Sequence, residues 1–421
     1  MLELPYGKGS LFLDEEKEHA AVLASGIGQL KNAEDGRVLV RAAMASPYGG
    51  VRLSALARKA SACVIVISDH TRPVPSKDIL PEMLRELREG NPRIDVTLLV
   101  ATGCHRLSQA AELREKLGDE IFEREKICVH DAQDAAGNVA IGTLPSGAPL
   151  IIDRRAVETD LLIAEGFIEP HFFAGFSGGR KSVLPGLCSR ETVYGNHCGE
   201  FIASPYARTG ILENNPIHRD MCAAAEMAKL RYIVNVVIDE EQKTAAAFAG
   251  DPFLAHEAGC AFLRSHCEVP AAPADIVVTT NGGAPLDQNV YQCVKCMTAA
   301  EASANEGGVI IVAAECADGL GGDGFYKSLR DCESPEALYR EYCETPQEKT
   351  IADQWQSQIL ARILMRHEVI FVTRPELREA ITEMKMTYAG SVEEAVAAAR
   401  EKKGANASMT VIPNGVSVIV R

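Results

Sequence analysis

The chemistry in this sequence is concentrated in short polar stretches that follow apolar runs. Ser68-Asp69-His70-Thr71-Arg72-Pro73 puts a carboxylate, hydroxyls and a fixed cation directly after the run ACVIVIS. Near a helix N-terminus, such a loop suits a phosphate or carboxylate. Arg72 can bind the anion through two parallel hydrogen bonds while helix amides assist. The plainer reading is a loop with a capping Asp69 and a surface Arg72. Ala101-Thr102-Gly103-Cys104-His105-Arg106 closes the next apolar run and sets His105 at its end. The densest stretch is Glu169–Ser182, EPHFFAGFSGGRKS, where His171 and phenylalanine rings stand beside Gly178, Gly179, Arg180 and Lys181. Its glycines permit close approach of backbone to a ligand, and successive amides can form an anion nest. The P-loop motif needs Gly immediately before its Lys. Arg180 stands there instead, which argues against ordinary ATP or GTP binding. Lys181, beside Arg180, is a candidate for a lowered pKa, and so for a nucleophile or covalent anchor.

Tyr194-Gly195-Asn196-His197 adds a further histidine. No HExxH occurs, so a locally encoded zinc-protease site is absent. His105, His171 and His197 can still converge in space as bases or metal ligands. In PLDQNVYQCVK, Tyr291, Gln292 and Lys295 fall at helical spacing, with Tyr291 and Lys295 on one face. A solvated amphipathic helix is the alternative. Trp355, the only tryptophan, is either a packing residue or the aromatic wall of a site. Cys293 and Cys296 form a CxxC without a second pair, which reads as buried thiols on a helix rather than zinc ligands.

These stretches need rigid elements to hold them. Ala62–Ser68, Val96–Ala101, Ile127–His130, Leu161–Glu165, Tyr232–Ile238, Asp275–Thr280, Val309–Ala314 and Val369–Thr373 read as strands. Each is followed by helical or loop material. Ser76 and Ser108 are candidate helix caps, and Val392–Lys403 reads as a helix. The alternation predicts α/β architecture: two α/β domains with mostly parallel sheets and the active site in the cleft between them. The expected division is 1–268 for a first α/β domain and 269–404 for a second, with the tail 405–421 a candidate to complete the first. In open parallel sheets ligands gather beyond the carboxyl ends of strands. Asp69, His105 and His171 all fall at or soon after such ends.

Composition narrows the classes. The chain has 421 residues, 47% of them apolar, a net charge of −15 and a pI near 5.2. Such an acidic surface repels phosphate backbones and disfavours nucleic acid. No apolar stretch is long enough for a membrane span. Thirteen cysteines without regular spacing, and a first segment MLELPYGKGSLFL without the marks of a signal peptide, point to a reducing cytoplasm.

Taken together, DHTRP, ATGCHR, EPHFFAGFSGGRKSVLPG, YGNH, PLDQNVYQCVK and DQWQ, in this order, resemble the nickel-dependent lactate racemase family over most of the chain. The resemblance implies a racemase or epimerase of a 2-hydroxy acid, lactate above all. The implied cofactor is a covalently bound nickel-pincer nucleotide, a pyridinium-3-thioamide-5-thiocarboxylic acid mononucleotide, supplied by cofactor maturation proteins. Lys181 would carry the covalent bond and His197 would ligate nickel, which would make 1–268 the cofactor-anchoring domain. His105 and His171 would be the acid/base pair. Asp69, Thr71, Arg72, Gly178 and Gly179 would seat the nucleotide. Arg72, Tyr291, Gln292, Lys295 and Trp355 would hold the substrate. Hydride removal from the α-carbon avoids a carbanion, and two bases serve the two hydroxyl directions. The alternatives are the same chemistry on malate, an aryl-lactate or a sugar acid, a His-ligated metal hydrolase, and a non-catalytic nucleotide-binding module.

Overall fold

The computed structural model describes residues 1–30 and 34–421. Two six-stranded sheets organise it. The first runs in the order Thr244–Gly250, Leu230–Ile238, Leu161–Phe167, Ala62–Ser68, Asp95–Ala101, Lys126–Val129. It is parallel except for Thr244–Gly250 at one edge. The second runs Thr387–Ala389, Glu368–Val372, Ala304–Ala313, Ala274–Thr280, Met409–Ile412, Ala21–Val22, and is parallel throughout. The fold is the expected α/β class.

Both faces of each sheet are covered, which is why the strands read as unbroken apolar runs. Along Ala62–Ser68, Cys63, Ile65 and Ile67 enter an outer core under the helices Gly36–Ala45 and Ser76–Gly90. Val64 and Val66 face the other way, into a core that also holds Val277, Ile310 and Val312 of the second sheet. The two sheets therefore share one apolar layer. On the far side of the second sheet, the helix Val392–Lys403 covers Ile276, Val278, Ile311 and Val411.

The chain ends depart from the expected division. The tail strand Met409–Ile412 pairs with Ala274–Thr280 in the second sheet, not the first. The last strand, Ile419–Val420, pairs with Glu268–Val269. The first residues also belong here. The hairpin Leu2–Tyr6 with Gly9–Leu13 buries Leu4 and Leu13 against Ile276 and Val278, and Ala21–Val22 adds an edge strand. Apolar alternation too short to stand alone found its partner at the other end of the sequence.

Two expected caps serve elsewhere. Ser76 opens the helix Ser76–Gly90, but its hydroxyl donates to Glu165 Oε1 at 2.7 Å. Ser108 Oγ lies 3.0 Å from His70 Nδ1, and Gln109 caps the next helix through a capping box with Glu112. Cys293 and Cys296 are fully buried on the helix Val290–Glu301, as thiols.

Candidate active site

Loops beyond the carboxyl ends of the first sheet meet the helices Val290–Glu301 and Gln354–Leu364 around a cavity of about 400 Å³. Its wall includes Asp69, Arg72, His105, His171, Gly178, Lys181, His197, Tyr291, Gln292, Lys295 and Trp355. A second space of about 780 Å³ shares Arg72, His105, His171, Tyr291, Gln292 and Lys295 and adds Thr71. Residues from the first sheet's loops and from helices of the second half thus line one site.

His105 lies where the strand Asp95–Ala101 has ended, and its Nδ1 is 2.8 Å from Asp69 Oδ2. Asp69 is 2% exposed, and its Oδ1 accepts from Thr71 N at 3.1 Å and Thr71 Oγ1 at 2.7 Å. Burial pushes the Asp69 carboxyl up, but the bond to His105 and the His105 and Arg72 charges outweigh it and hold it well below the usual carboxylate range. An ionised Asp69 can only accept. The bond therefore places the His105 proton on Nδ1 and leaves Nε2 as the free base nitrogen.

His171 is held differently. It sits in a two-residue strand, Pro170–His171, paired with Gly175–Phe176. In the tight turn between them, Ala174 N lies 3.2 Å and Phe173 N 3.5 Å from His171 Nδ1. Both amides donate, so Nδ1 is an acceptor and the proton of the neutral ring is on Nε2. Burial, then the charges of Lys181, Lys295 and Arg72, push its pKa well down. The two histidines thus rest with opposite tautomers.

Lys181 is in the short helix Gly179–Ser182, with its ammonium 5.7 Å above the Phe173 ring. Burial, then Arg180 and Arg72, hold its pKa well below the lysine range. Burial, then Arg72, brings Lys295 down to about 8. Among the described residues no carboxylate stands within ion-pair distance of Arg72, Lys181 or Lys295. His197 closes the helix Arg190–Asn196 and is 5% exposed. Its ring is edge-on to Phe173 at 5.0 Å and to Trp355 at 5.1 Å, and its Nδ1 has no hydrogen-bond partner. Burial lowers its pKa to about 3. Trp355 Nε1 donates to the Tyr291 hydroxyl at 3.1 Å, and Gln356 Nε2 donates to the Tyr291 carbonyl. These bonds tie the two helices of the second half across the cavity wall.

Gly179 and Arg180 do not reach the cavity wall. The Gly179 amide donates to Asn235 Oδ1 at 2.7 Å, and a Cβ there would meet the His256 ring at 2.8 Å. With φ at +53°, Gly179 lets the loop pack on the first half's core. Gly178 does line the cavity, and a Cβ there would meet Asn235 Oδ1 at 2.8 Å. Arg180 turns inward and is 2% exposed. The sequence reading missed Glu165, a cavity-lining carboxyl 2% exposed with Oε2 unpartnered. Burial pushes its pKa up, and Lys116 only partly offsets this. A Glu inside the apolar run LLIAEGF was the available signal.

Comparison with known proteins gives the family. The family model described as Lactate racemase N-terminal domain matches residues 6–210, and Lactate racemase C-terminal domain matches 269–420. The chain belongs to the lactate racemase family. Membership makes it an isomerase of the racemase type. The Thermoanaerobacterium thermosaccharolyticum lactate racemase is 50% identical, over 100% of this chain and 99% of that protein. The Lactiplantibacillus plantarum lactate racemase is 48% identical over the same shares. The solved structure of the T. thermosaccharolyticum lactate racemase apoprotein superposes with a TM-score of 0.96 at 49% identity, covering 100% of this chain and 99% of that one. A crystal structure of a Thermotoga maritima protein shares the fold, with a TM-score of 0.65 at 19% identity over 88% of this chain and 98% of that one. No helix among the described residues is long and apolar enough to cross a membrane.

Proposed function

We propose that this protein interconverts the enantiomers of lactate, with His105 and His171 handling the hydroxyl proton and Arg72 and Lys295 holding the carboxylate. The observation that carries this reading is the convergence of two differently held histidines and unpaired cations on one cavity. The family implies a nickel-pincer nucleotide, and the residues present fit it. His197 offers a buried ring with an unpartnered nitrogen. Among the described residues, no group of three or more His, Cys, Asp or Glu side chains could hold a metal ion by itself. A lone imidazole suits an ion whose other ligands arrive with the cofactor. Lys181, whose charged form burial disfavours and with which no carboxylate among the described residues pairs, suits a covalent bond to that group. Asp69, Thr71, Arg72 and Gly178 would flank it. When bound, the group supplies a hydride acceptor for the substrate's α-carbon.

The protein's part is binding and proton handling. Arg72 and Lys295 fix the carboxylate and so the plane in which the α-carbon reacts. His105 Nε2 takes the hydroxyl proton of one enantiomer, and Asp69 stabilises the imidazolium that results. At rest His171 Nε2–H gives only a hydrogen bond to the oxygen on the other side. The ring can pass a proton on only after gaining a second one, since surrendering its single proton would leave an imidazolate. Full protonation of His171 requires Nδ1 to release the Phe173 and Ala174 amides, so the two histidines are not equivalent. Tyr291 and Trp355 would enclose the substrate, with Gln292 beside it. The division of the chain near residue 268 belongs to the same reading, supported by a C-terminal family model that starts at 269.

The test uses protein made with the cofactor maturation proteins. Intact mass should show an adduct on Lys181, and metal analysis about one nickel per chain. His105→Ala and His171→Ala should each keep both and lose about 10²- to 10⁴-fold in kcat. Racemisation at the wild-type rate by the double variant would sink the reading.

A further inference from the structure

Arg180 is the most heavily engaged side chain in the molecule outside the cavity wall. Its guanidinium is buried, and no carboxylate among the described residues pairs with it. Nη2 donates to the Ala174 carbonyl at 2.8 Å, and Nη1 to the Phe176, Gly178 and Ser177 carbonyls at 2.8, 3.2 and 3.3 Å. Nε donates to His218 Nδ1 at 2.9 Å, and Nη1 lies 3.0 Å from His256 Nε2. His218 and His256 belong to the helices Pro216–Met227 and Pro252–Cys267. One cation therefore pins the turn from 174 to 178 to the helix Pro216–Met227, while His256 of the helix Pro252–Cys267 donates from Nε2 to the Ser177 carbonyl at 2.9 Å and holds the same turn from the other side. A planar fork of five donors serves the four carbonyls and His218 in one rigid geometry, which a lysine cannot.

The Ala174 residue connects this clamp to the chemistry. Its carbonyl is on Arg180 and its amide is on His171 Nδ1. If the carbonyl end swings, the neighbouring peptide that donates to His171 loses its aim. We infer that Arg180 is a positioning residue for His171: by holding the Ala174 carbonyl it fixes the amides at His171 Nδ1 and so keeps the His171 proton on Nε2. The catalytic consequence rests on the racemase reading above, whereas the tautomer does not.

The experiment separates the two. Full-length protein labelled with [15N]histidine is examined by long-range proton–nitrogen NMR, with resonances assigned through His171→Gln. Wild type should show His171 with a bare Nδ1 and a protonated Nε2. Arg180→Met should convert this to a mixture of tautomers. In cofactor-loaded protein, kcat should fall about ten- to hundredfold with little change in KM, because Arg72 and Lys295 are untouched. If Arg180→Met does not fold, His218→Phe decides the matter. It keeps the ring and removes the acceptor that aligns Arg180, and the same tautomer shift is expected. Cys222→Ser, beside His218, should leave the His171 signals unchanged. His171 signals identical to wild type in a folded Arg180 or His218 variant overturn the inference. A tautomer shift in a protein that racemises nothing, even when loaded, leaves the positioning role standing and overturns the functional reading alone.

Discussion

Asp69→Asn tests whether one buried carboxylate sets the working nitrogen of His105. Asp69 accepts from His105 Nδ1, Thr71 N and Thr71 Oγ1, at 2.8, 3.1 and 2.7 Å. A carboxylate satisfies three donors because both its oxygens only accept. Asparagine has the same shape but one acceptor and one donor. With its amide toward His105, Nδ1 must accept, the proton moves to Nε2, and the base is lost. With its amide toward Thr71, it meets the Thr71 N–H donor to donor. Either way a charge-assisted hydrogen bond goes, worth about 1.5–3 kcal/mol. At about 1.4 kcal/mol per factor of ten, kcat should fall about ten- to hundredfold. KM should move less than about threefold, since the residues proposed to bind carboxylate are intact. The assay follows racemisation of each enantiomer by circular dichroism, alongside intact mass and nickel content. Undiminished kcat refutes the argument. A kcat loss that only tracks loss of the Lys181 adduct, with full turnover per loaded chain, refutes it too, by showing that Asp69 acts only in seating the cofactor.

Lys295 carries its charge below a pKa of about 8 and loses it above. The groups acting on it are Arg72, which lowers its pKa, and Glu169 and Cys293, which raise it. If its charge holds the substrate carboxylate, kcat/KM should fall as pH rises through about 8, and Lys295→Met should remove that step from the profile. In loaded protein, His197→Ala should lose nickel while the Lys181 adduct mass persists, read by metal analysis and mass spectrometry on one sample. Leu4→Ala, in the N-terminal hairpin against the second sheet, should cost about 2–5 kcal/mol in denaturant unfolding. A hairpin that merely lay on the surface would give a fraction of that.

The sheets were legible because burial on both faces writes itself as an unbroken apolar run. Ala62–Ser68 is such a run, and its limits agree to the residue. Thr244–Gly250 was not legible. Its sequence TAAAFAG is rich in helix formers, and only pairing with the adjacent Leu230–Ile238 makes it a strand. The hairpin Asn138–Thr143 with Pro149–Asp153 was missed for a related reason, because its pattern is short and half exposed. At the site, residue types marked the histidines and Lys181 as candidates and the family resemblance gave them roles; all four line one cavity. What spacing could not reveal was direction. Arg180 and Lys181 are adjacent, yet a short helical turn sends one into the scaffold and leaves the other at the cavity. The opposite tautomers of His105 and His171 were equally hidden, since they depend on a distant Asp69 and on backbone amides.

The charge distribution ties these points together. The chain carries a net −15, yet the proposed substrate is an anion. At physiological salt the acidic exterior is screened within about 8 Å, so it does little to an ion already in the cleft. Inside, Arg72, Lys181 and Lys295 have no paired carboxylate among the described residues, and burial together with the neighbouring cations disfavours the charged form of both lysines. A site left in that condition binds whatever relieves it, and an anion does so while being oriented. Arg180 stands next to Lys181 but does not line that cavity. Its charge is instead absorbed by backbone carbonyls, where it stiffens the turn beneath His171. The same four-residue helix thus separates a cation used for architecture from a lysine kept free for chemistry.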